Sequence, residues 1–111
     1  MSISTHVLDT SRGKPAAGIA IALSVRDGDA FRLVGRGVTD PDGRCKSLVL
    51  PGPVPAGVYR LTFDVAGYFS AQSLETFYPT VEIHFEMKDA DAHYHVPLLL
   101  SPWGYSTYRG S

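Results

Sequence analysis

Two segments of the chain alternate apolar and polar residues with the period of two that is typical of β-strands. They run over Val58–Val65 and Thr80–Lys88. In each segment every second residue is apolar: Tyr59, Leu61, Phe63 and Val65 in the first, and Val81, Ile83, Phe85 and Met87 in the second. The sequence therefore predicts two strands that each bury one face in a hydrophobic core.

Six further short segments are rich in Val, Ile, Leu and aromatic residues and lie between turn signals such as Asp27-Gly28-Asp29 and Asp42-Gly43. They are Ile3–Leu8, Gly18–Val25, Phe31–Val38, Lys46–Leu50, Tyr94–Leu100 and Tyr105–Tyr108. About eight short strands separated by turns rich in Gly and Pro are typical of an all-β sandwich or barrel, and eight strands are enough for two packed sheets. We therefore expect two packed sheets.

A helix is predicted only over Ser70–Phe77. Ser70 is a favourable N-cap, good helix formers follow it, and Pro79 would end the helix. One short helix is therefore expected between two strands.

Size and charge narrow the functional classes. The chain has 111 residues and a mass of 12.0 kDa, which predicts a single domain over residues 1–111. Apolar residues make up 44% of the chain and charged residues 19%, a composition that favours a folded protein over disorder. The net charge of -1 provides no basic field for nucleic acid or an anionic membrane, so neither is an expected partner.

The single cysteine, Cys45, excludes a disulfide within the chain and a four-thiolate zinc site. No apolar stretch approaches the ~18–20 residues that span a bilayer, and the first residues do not resemble a secretion signal. We expect a cytoplasmic protein, or a periplasmic one if a leader precedes this sequence.

Three histidines are candidates for acid–base chemistry. His6 lies in an early strand, and His93 and His95 flank Tyr94 before a late apolar run. Imidazole titrates near neutral pH, which suits a general base or acid. The same atoms bind zinc, but their spacing matches no zinc motif, so we predict no metal site. His84 alternates with charged residues and is expected on a solvated face.

Arg44 directly follows the turn Asp40-Pro41-Asp42-Gly43, so its side chain leaves a tight corner. An arginine held in this way can bind a planar anionic or carbonyl-rich ligand through paired hydrogen bonds. On the local pattern alone, an ordinary exposed turn arginine is the preferred interpretation. The chain has no Gly-x-Ser-x-Gly motif for a nucleophilic serine, and Cys45 shows no sign of activation.

The last nine residues contain three aromatic residues, whereas most chain ends are polar and frayed. Aromatic groups of a final strand that do not all fit into one small core suggest burial against another subunit.

Four motifs together resemble the transthyretin-related 5-hydroxyisourate hydrolases of purine catabolism. They are Ser4-Thr5-His6-Val7-Leu8-Asp9, Gly43-Arg44, Tyr94-His95-Val96-Pro97-Leu98-Leu99-Leu100-Ser101-Pro102 and Tyr108-Arg109-Gly110-Ser111. The final tetrapeptide distinguishes the hydrolases, because the hormone-carrying transthyretins share the preceding region but lack this ending.

The resemblance implies a homotetramer of transthyretin-like β-sandwiches, each with two four-stranded sheets and one short helix, and active sites at the dimer–dimer interface. It places the catalytic positions on His6, Arg44, His95 and Ser111. Tyr108, Arg44 and Ser111 would contact the substrate, and no metal or other cofactor is implied.

The family reaction is the hydrolysis of 5-hydroxyisourate to 2-oxo-4-hydroxy-4-carboxy-5-ureidoimidazoline by attack of water on a ring carbonyl. His6 and His95 would activate the water and return a proton to the departing nitrogen, and Arg44 would stabilise the developing negative charge. Which histidine is the base, and whether Ser111 acts through its hydroxyl or a terminal carboxylate, stay open.

Two alternatives belong to other functional classes. A transthyretin-like carrier would have the same fold and hold a small aromatic ligand without converting it, but its channel needs neither two histidines nor an arginine. A sandwich that acts only as an interaction module would leave the aromatic chain end unexplained.

Overall fold

The computed structural model describes residues 2–46, 48 and 55–111. In this part of the chain there are nine strands and one helix: β1 (Ser2–Asp9), β2 (Lys14–Pro15), β3 (Ala20–Asp27), β4 (Ala30–Val38), β5 (Arg44–Cys45), β6 (Gly57–Asp64), α1 (Val65–Ser70), β7 (Thr80–Met87), β8 (His93–Ser101) and β9 (Gly104–Thr107). The helix, six residues long, is too short to cross a membrane.

The strands form two sheets, as the sequence predicts. The first sheet has the order β2-β1-β8-β9, and the two-residue strand β5 also pairs with β1. The second sheet has the order β4-β3-β6-β7. Only the first sheet differs from the four-stranded expectation, because β5 adds a short fifth strand to it.

One pairing brings distant parts of the chain together. Strands β1 and β8 run parallel, from the pair Ser2 and His93 to the pair Asp9 and Leu100. The other pairings that join the described strands are antiparallel. The histidines predicted near the two ends of the sequence therefore lie on adjacent strands.

The core lies between the sheets and is built from their alternate residues. The alternation predicted for β6 and β7 is confirmed, although Phe85 of β7 is only half-buried and stacks on Tyr59 at a centroid distance of 6.0 Å. The fully buried side chains come from both sheets and include Val7, Leu23, Leu61, Phe63 and Leu98. Residues that alternate with this set face outward.

The helix predicted over Ser70–Phe77 is wrong, and so is the assignment of Val65 to a strand. Helix α1 begins at Val65 and ends at Ser70. The carboxylate of Asp64 caps it by accepting the backbone N–H of Gly67 at 3.2 Å, and Val65 and Phe69 anchor its buried side. Burial of two large side chains within one turn outweighs the higher helix propensity of the following residues.

Residues 71–78, which follow α1, are not helical, and part of this segment is hydrogen-bonded to Pro102. Ser73 has a φ of 58°, in the left-handed region that ends a helix. Further on, the Thr76 hydroxyl and the Phe77 backbone N–H both donate to the carbonyl of Pro102, at 2.8 and 2.9 Å. These contacts attach the segment to the turn between β8 and β9.

The strand predicted over Lys46–Leu50 falls largely on residues outside the described part. The residues that pair with β1 are Arg44 and Cys45, which directly precede the predicted strand. Neither Lys46 nor the buried Leu48 belongs to a strand. This earlier position of the strand in the sequence matters for function, because it places Arg44 itself in the first sheet.

Candidate active site

The outer face of the first sheet is polar where β1 and β8 meet. Along both strands, buried residues alternate with more exposed ones. Ser4 and His6 of β1 and His93 and His95 of β8 belong to the second set. Because Ser4 pairs with His95 in the parallel register, the polar side chains of β1 and those of β8 are neighbours on one surface.

A tight turn places Arg44 beside this surface. One carboxylate oxygen of Asp40 accepts the backbone N–H groups of Asp42 and Arg44, both at 2.9 Å. Gly43 has a φ of 75°, and a Cβ there would lie 2.5 Å from the Val7 carbonyl oxygen, so only glycine fits. The turn delivers Arg44 into pairing with His6. This confirms the expectation that the turn fixes the direction in which Arg44 leaves the chain.

His6 has one ring nitrogen in a hydrogen bond to the backbone. Its Nε2 lies 3.0 Å from the carbonyl oxygen of Asp42, in the turn that carries Arg44. Since a carbonyl only accepts, Nε2 carries a proton, and Nδ1 is the nitrogen at which neutral His6 can accept another.

His95 is half-buried, and its environment disfavours the charged form. Its Nδ1 lies 2.8 Å from the hydroxyl oxygen of Ser4. Burial, followed by the positive charges of Arg44, His93 and His6, lowers the pKa of His95, and a hydrogen bond with the Ser4 backbone only partly opposes this. His95 is therefore a neutral imidazole at neutral pH, the form that a general base requires.

The C-terminal tail, residues 108–111, lies against His95. The Gly110 backbone N–H donates to the His95 carbonyl at 2.8 Å, which forms an isolated bridge between the two residues. A Cβ at Gly110 would come within 2.5 Å of His95 Cδ2, so the ring edge occupies the space that a side chain would need. The guanidinium of Arg109 lies 4.9 Å from the centre of the Tyr94 ring. These contacts bring Ser111 to the same surface.

A cavity of about 410 Å³ opens between these groups. Its lining consists of Ser4, Thr5, Arg44, Lys46, His93, His95 and Ser111. This volume is in the range that holds a small ligand. Because several charged and titratable groups converge on it, the cavity is the candidate active site.

Three of the predicted site residues, Arg44, His95 and Ser111, line this cavity. His6 is not part of the lining, but it pairs with Arg44 and its charge acts on His95. Tyr108 is 58% exposed and lines a second cavity of about 240 Å³, which also touches His95.

The match to known proteins extends over nearly the whole chain. The model of the HIUase/Transthyretin family matches residues 3–110. This chain belongs to that family. The match includes six of the seven residues that line the cavity, and the seventh, Ser111, directly follows the matched range.

Members of the HIUase/Transthyretin family from distant organisms are similar to this chain. A probable 5-hydroxyisourate hydrolase of Caenorhabditis elegans is 46% identical over 110 residues, which cover 99% of this chain and 82% of the relative. The solved structure of Klebsiella pneumoniae 5-hydroxyisourate hydrolase has a TM-score of 0.85 and 37% identity and covers all of both chains. Transthyretin of Sparus aurata has a TM-score of 0.90 and 33% identity, over 97% of this chain and 95% of the other.

Three lining residues of this family member, Ser4, Thr5 and Lys46, were not singled out from its sequence. Lys46 stands two positions after Arg44, with the buried Cys45 between them, so strand alternation could have placed both cations on one side. Ser4 is part of the motif around His6, but its contact with His95 depends on the pairing of β1 with β8.

The histidines of this family member are not arranged as a metal centre in the part of the chain that the structure describes. In residues 2–46, 48 and 55–111, no group of three or more His, Cys, Asp or Glu side chains is placed to hold a metal ion. The rings of His93 and His95 are nearly parallel, with centroids 6.4 Å apart.

Proposed function

We propose that this chain hydrolyses 5-hydroxyisourate to 2-oxo-4-hydroxy-4-carboxy-5-ureidoimidazoline. The names of its relatives point to this substrate. The observation that carries the proposal is the convergence of Arg44, His95 and Ser111 on one cavity, with His6 paired beside Arg44. A passive carrier of an aromatic ligand has no use for this set of groups.

His95 is the general base in this proposal. Its lowered pKa keeps the ring neutral, and it takes a proton from a water molecule as the water oxygen bonds to a ring carbonyl carbon of the substrate. The bond between that carbon and the ring nitrogen then breaks. The departing nitrogen receives a proton from a protonated imidazole, and the ring opens.

Arg44 and Lys46 supply positive charge to the same cavity. The guanidinium of Arg44 can donate two parallel hydrogen bonds to substrate oxygens and stabilise the negative charge on the attacked carbonyl. Lys46 adds a second cation for an oxygen-rich substrate. Ser111 lines the same cavity, and in this proposal its hydroxyl orients the substrate or the water.

His6 acts from β1, where it pairs with Arg44 next to the cavity lining. Its Nε2 is held by the Asp42 carbonyl, so the ring orientation is fixed. Its Nδ1 can hold the attacking water or the departing nitrogen through one hydrogen bond. We therefore assign His6 a binding and proton-holding role, and His95 the removal of the first proton.

We further propose that four copies assemble, as two dimers whose first sheets face each other and enclose the cavities. Two observations support this. The cavity lies on the outer face of a sheet, where a second sheet can cover it. The Tyr78 ring contacts the rings of Phe77 and Tyr105, with centroids 5.0 and 5.3 Å apart, yet all three side chains stay exposed. Trp103 is 67% exposed.

The activity is tested by following the ultraviolet absorbance of 5-hydroxyisourate, made freshly from urate, with and without the protein. We expect faster decay, and loss of that acceleration in His6→Ala and Arg44→Ala. Arg36→Ala is the matched control for Arg44→Ala, because Arg36 is exposed on β4 of the other sheet and lines neither cavity that touches His95, so it should keep full activity. Decay at the spontaneous rate with folded wild-type protein would refute the hydrolase and favour a carrier.

Assembly is tested by light scattering during size-exclusion chromatography. The proposal requires a mass four times the 12.0 kDa of one chain. A single-chain mass for a fully active protein would refute it.

A further inference from the structure

The Ser4 hydroxyl lies between two imidazole rings. Its oxygen is 2.8 Å from Nδ1 of His95 and 3.3 Å from Nε2 of His93. The parallel register of β1 and β8 creates this arrangement, because Ser4 pairs directly with His95 and His93 is two residues earlier on the same face of β8. A single hydroxyl therefore connects the half-buried His95 to the exposed His93.

A hydroxyl has only one proton to donate, so Ser4 can donate to only one of the two rings at a time. Two arrangements of neutral rings place that proton between the rings. In the first, His95 Nδ1–H donates to Ser4, and Ser4 O–H donates to His93 Nε2. His95 Nε2 then has a lone pair and can act as a base. In the second, His93 Nε2–H donates to Ser4, and Ser4 O–H donates to His95 Nδ1. His95 Nε2 then carries a proton and can act as an acid.

We propose that Ser4 is a positioning residue that selects the protonated nitrogen of His95 and passes a proton between His95 and His93. The inference rests on the proposed hydrolysis and deepens it. It names a residue and a proton path that the assignment of His95 as the base does not include.

The proton balance closes over one turnover. His95 Nε2 takes a proton from water, its Nδ1 proton moves to Ser4, and the Ser4 proton moves to His93 Nε2. His95 is then neutral with a proton on Nε2, and the positive charge sits on His93. When His95 Nε2 gives its proton to the departing ring nitrogen, the two relay protons move back. The net result is transfer of one proton from water to that nitrogen.

The location of the charge explains why the relay helps. Burial, then the charges of Arg44, His93 and His6, disfavour a cation at His95. His93 is exposed, so water solvates a cation there at a much lower cost. Moving the positive charge from His95 to His93, across the two hydrogen bonds of Ser4, thus stabilises the protonated intermediate without moving the His95 ring.

The first test measures the resting protein and needs no substrate. Nitrogen-15 NMR of the imidazole rings reports which ring nitrogen carries the proton. We expect Ser4→Ala to change the ratio of the two His95 tautomers and leave those of His84 unchanged. An unchanged ratio would overturn the proposal even if hydrolysis is confirmed. If the protein does not hydrolyse 5-hydroxyisourate, the tautomer ratio still tests whether the Ser4 hydroxyl selects the protonated nitrogen of His95.

The second test separates positioning from binding by kinetics. Ser4→Ala should lower kcat about tenfold or more, a fraction of the ~10²–10⁴-fold that acid–base catalysis contributes, and change KM by less than about twofold. Ser4→Thr keeps the hydroxyl and should recover most of kcat. Ser24→Ala removes a hydroxyl from β3 in the other sheet and should have no effect. A Ser4→Ala enzyme with wild-type kcat would refute the relay.

The third test asks whether Ser4 and His93 act together. His93→Gln keeps an acceptor for the Ser4 proton but takes up no positive charge, so it should also lower kcat. If the two residues form one relay, the double variant is no slower than Ser4→Ala alone. Fully multiplicative losses would show that they act independently and would overturn the proposed path.

Discussion

Gly110→Ala isolates the contribution of the tail to the position of His95. The added Cβ would lie 2.5 Å from His95 Cδ2 and 3.2 Å from Cγ. Carbon atoms in contact prefer about 3.5–4.0 Å, so the ring or the tail must move by about 1 Å. Either movement separates the catalytic imidazole from the groups that line the cavity.

The expected losses in activity and in stability differ in size. A displacement of about 1 Å at a catalytic group can cost about 10²-fold in rate, which is about 2.7 kcal/mol in the activation free energy. If the tail detaches, the fold loses the hydrogen bond from Gly110 to His95, a net contribution of about 1 kcal/mol. For a domain of this size that lowers Tm by about 5 °C.

The assay compares kcat/KM for 5-hydroxyisourate decay with the Tm of the same samples. Gly104→Ala is the matched control, because a Cβ there meets only the Ser101 hydroxyl oxygen, at 4.0 Å, and it should leave both quantities nearly unchanged. Wild-type kcat/KM for a folded Gly110→Ala protein would refute the claim that the tail positions His95.

Three further predictions concern the base, the turn and the electrostatics of the site. His95→Asn should lower kcat by about 10²–10⁴-fold with little change in Tm, and near-normal turnover would remove His95 from the mechanism. Gly43→Ala should lower Tm much more than Gly28→Ala, because both positions have a positive φ but only a Cβ at Gly43 meets backbone, 2.5 Å from the Val7 carbonyl; equal losses would contradict this account. Because the neutral form of His95 is the active base and its pKa is lowered from 6.5, activity should persist below pH 6.5 and be lost as the pH falls through the pKa of His95. Arg44→Gln removes a neighbouring cation and should raise that pKa in an NMR titration; no rise would contradict the electrostatic argument.

Local patterns were sufficient to predict the strands of the second sheet. In β6 and β7, alternation sets which residues are buried, and the neighbouring strands pair in antiparallel register. The helix was not predictable from propensity, because two buried anchors, Val65 and Phe69, and the Asp64 cap determine where it forms. The segment with the better helix formers is held instead by Pro102, which is remote in sequence.

The candidate site was only partly accessible from the sequence. Its residue types, two histidines and an arginine, suggested acid–base chemistry, but their spacing did not show that they converge. Convergence requires the parallel pairing of β1 with β8, and the resemblance to a family supplied that information. The contact between Ser4 and His95 joins residues 91 positions apart and therefore has no local signature.

The parallel pairing of β1 with β8 also sets the order in which the molecule can be built. Strands β3, β4, β6 and β7 lie between these two in sequence, so the second sheet can close before β1 and β8 pair. The first sheet must wait for β8 and then close a loop of most of the chain, which is a slow step. We therefore expect the appearance of the site to mark the last event of folding, so that enzymatic activity during synthesis or refolding reports completed chains and not partly folded ones.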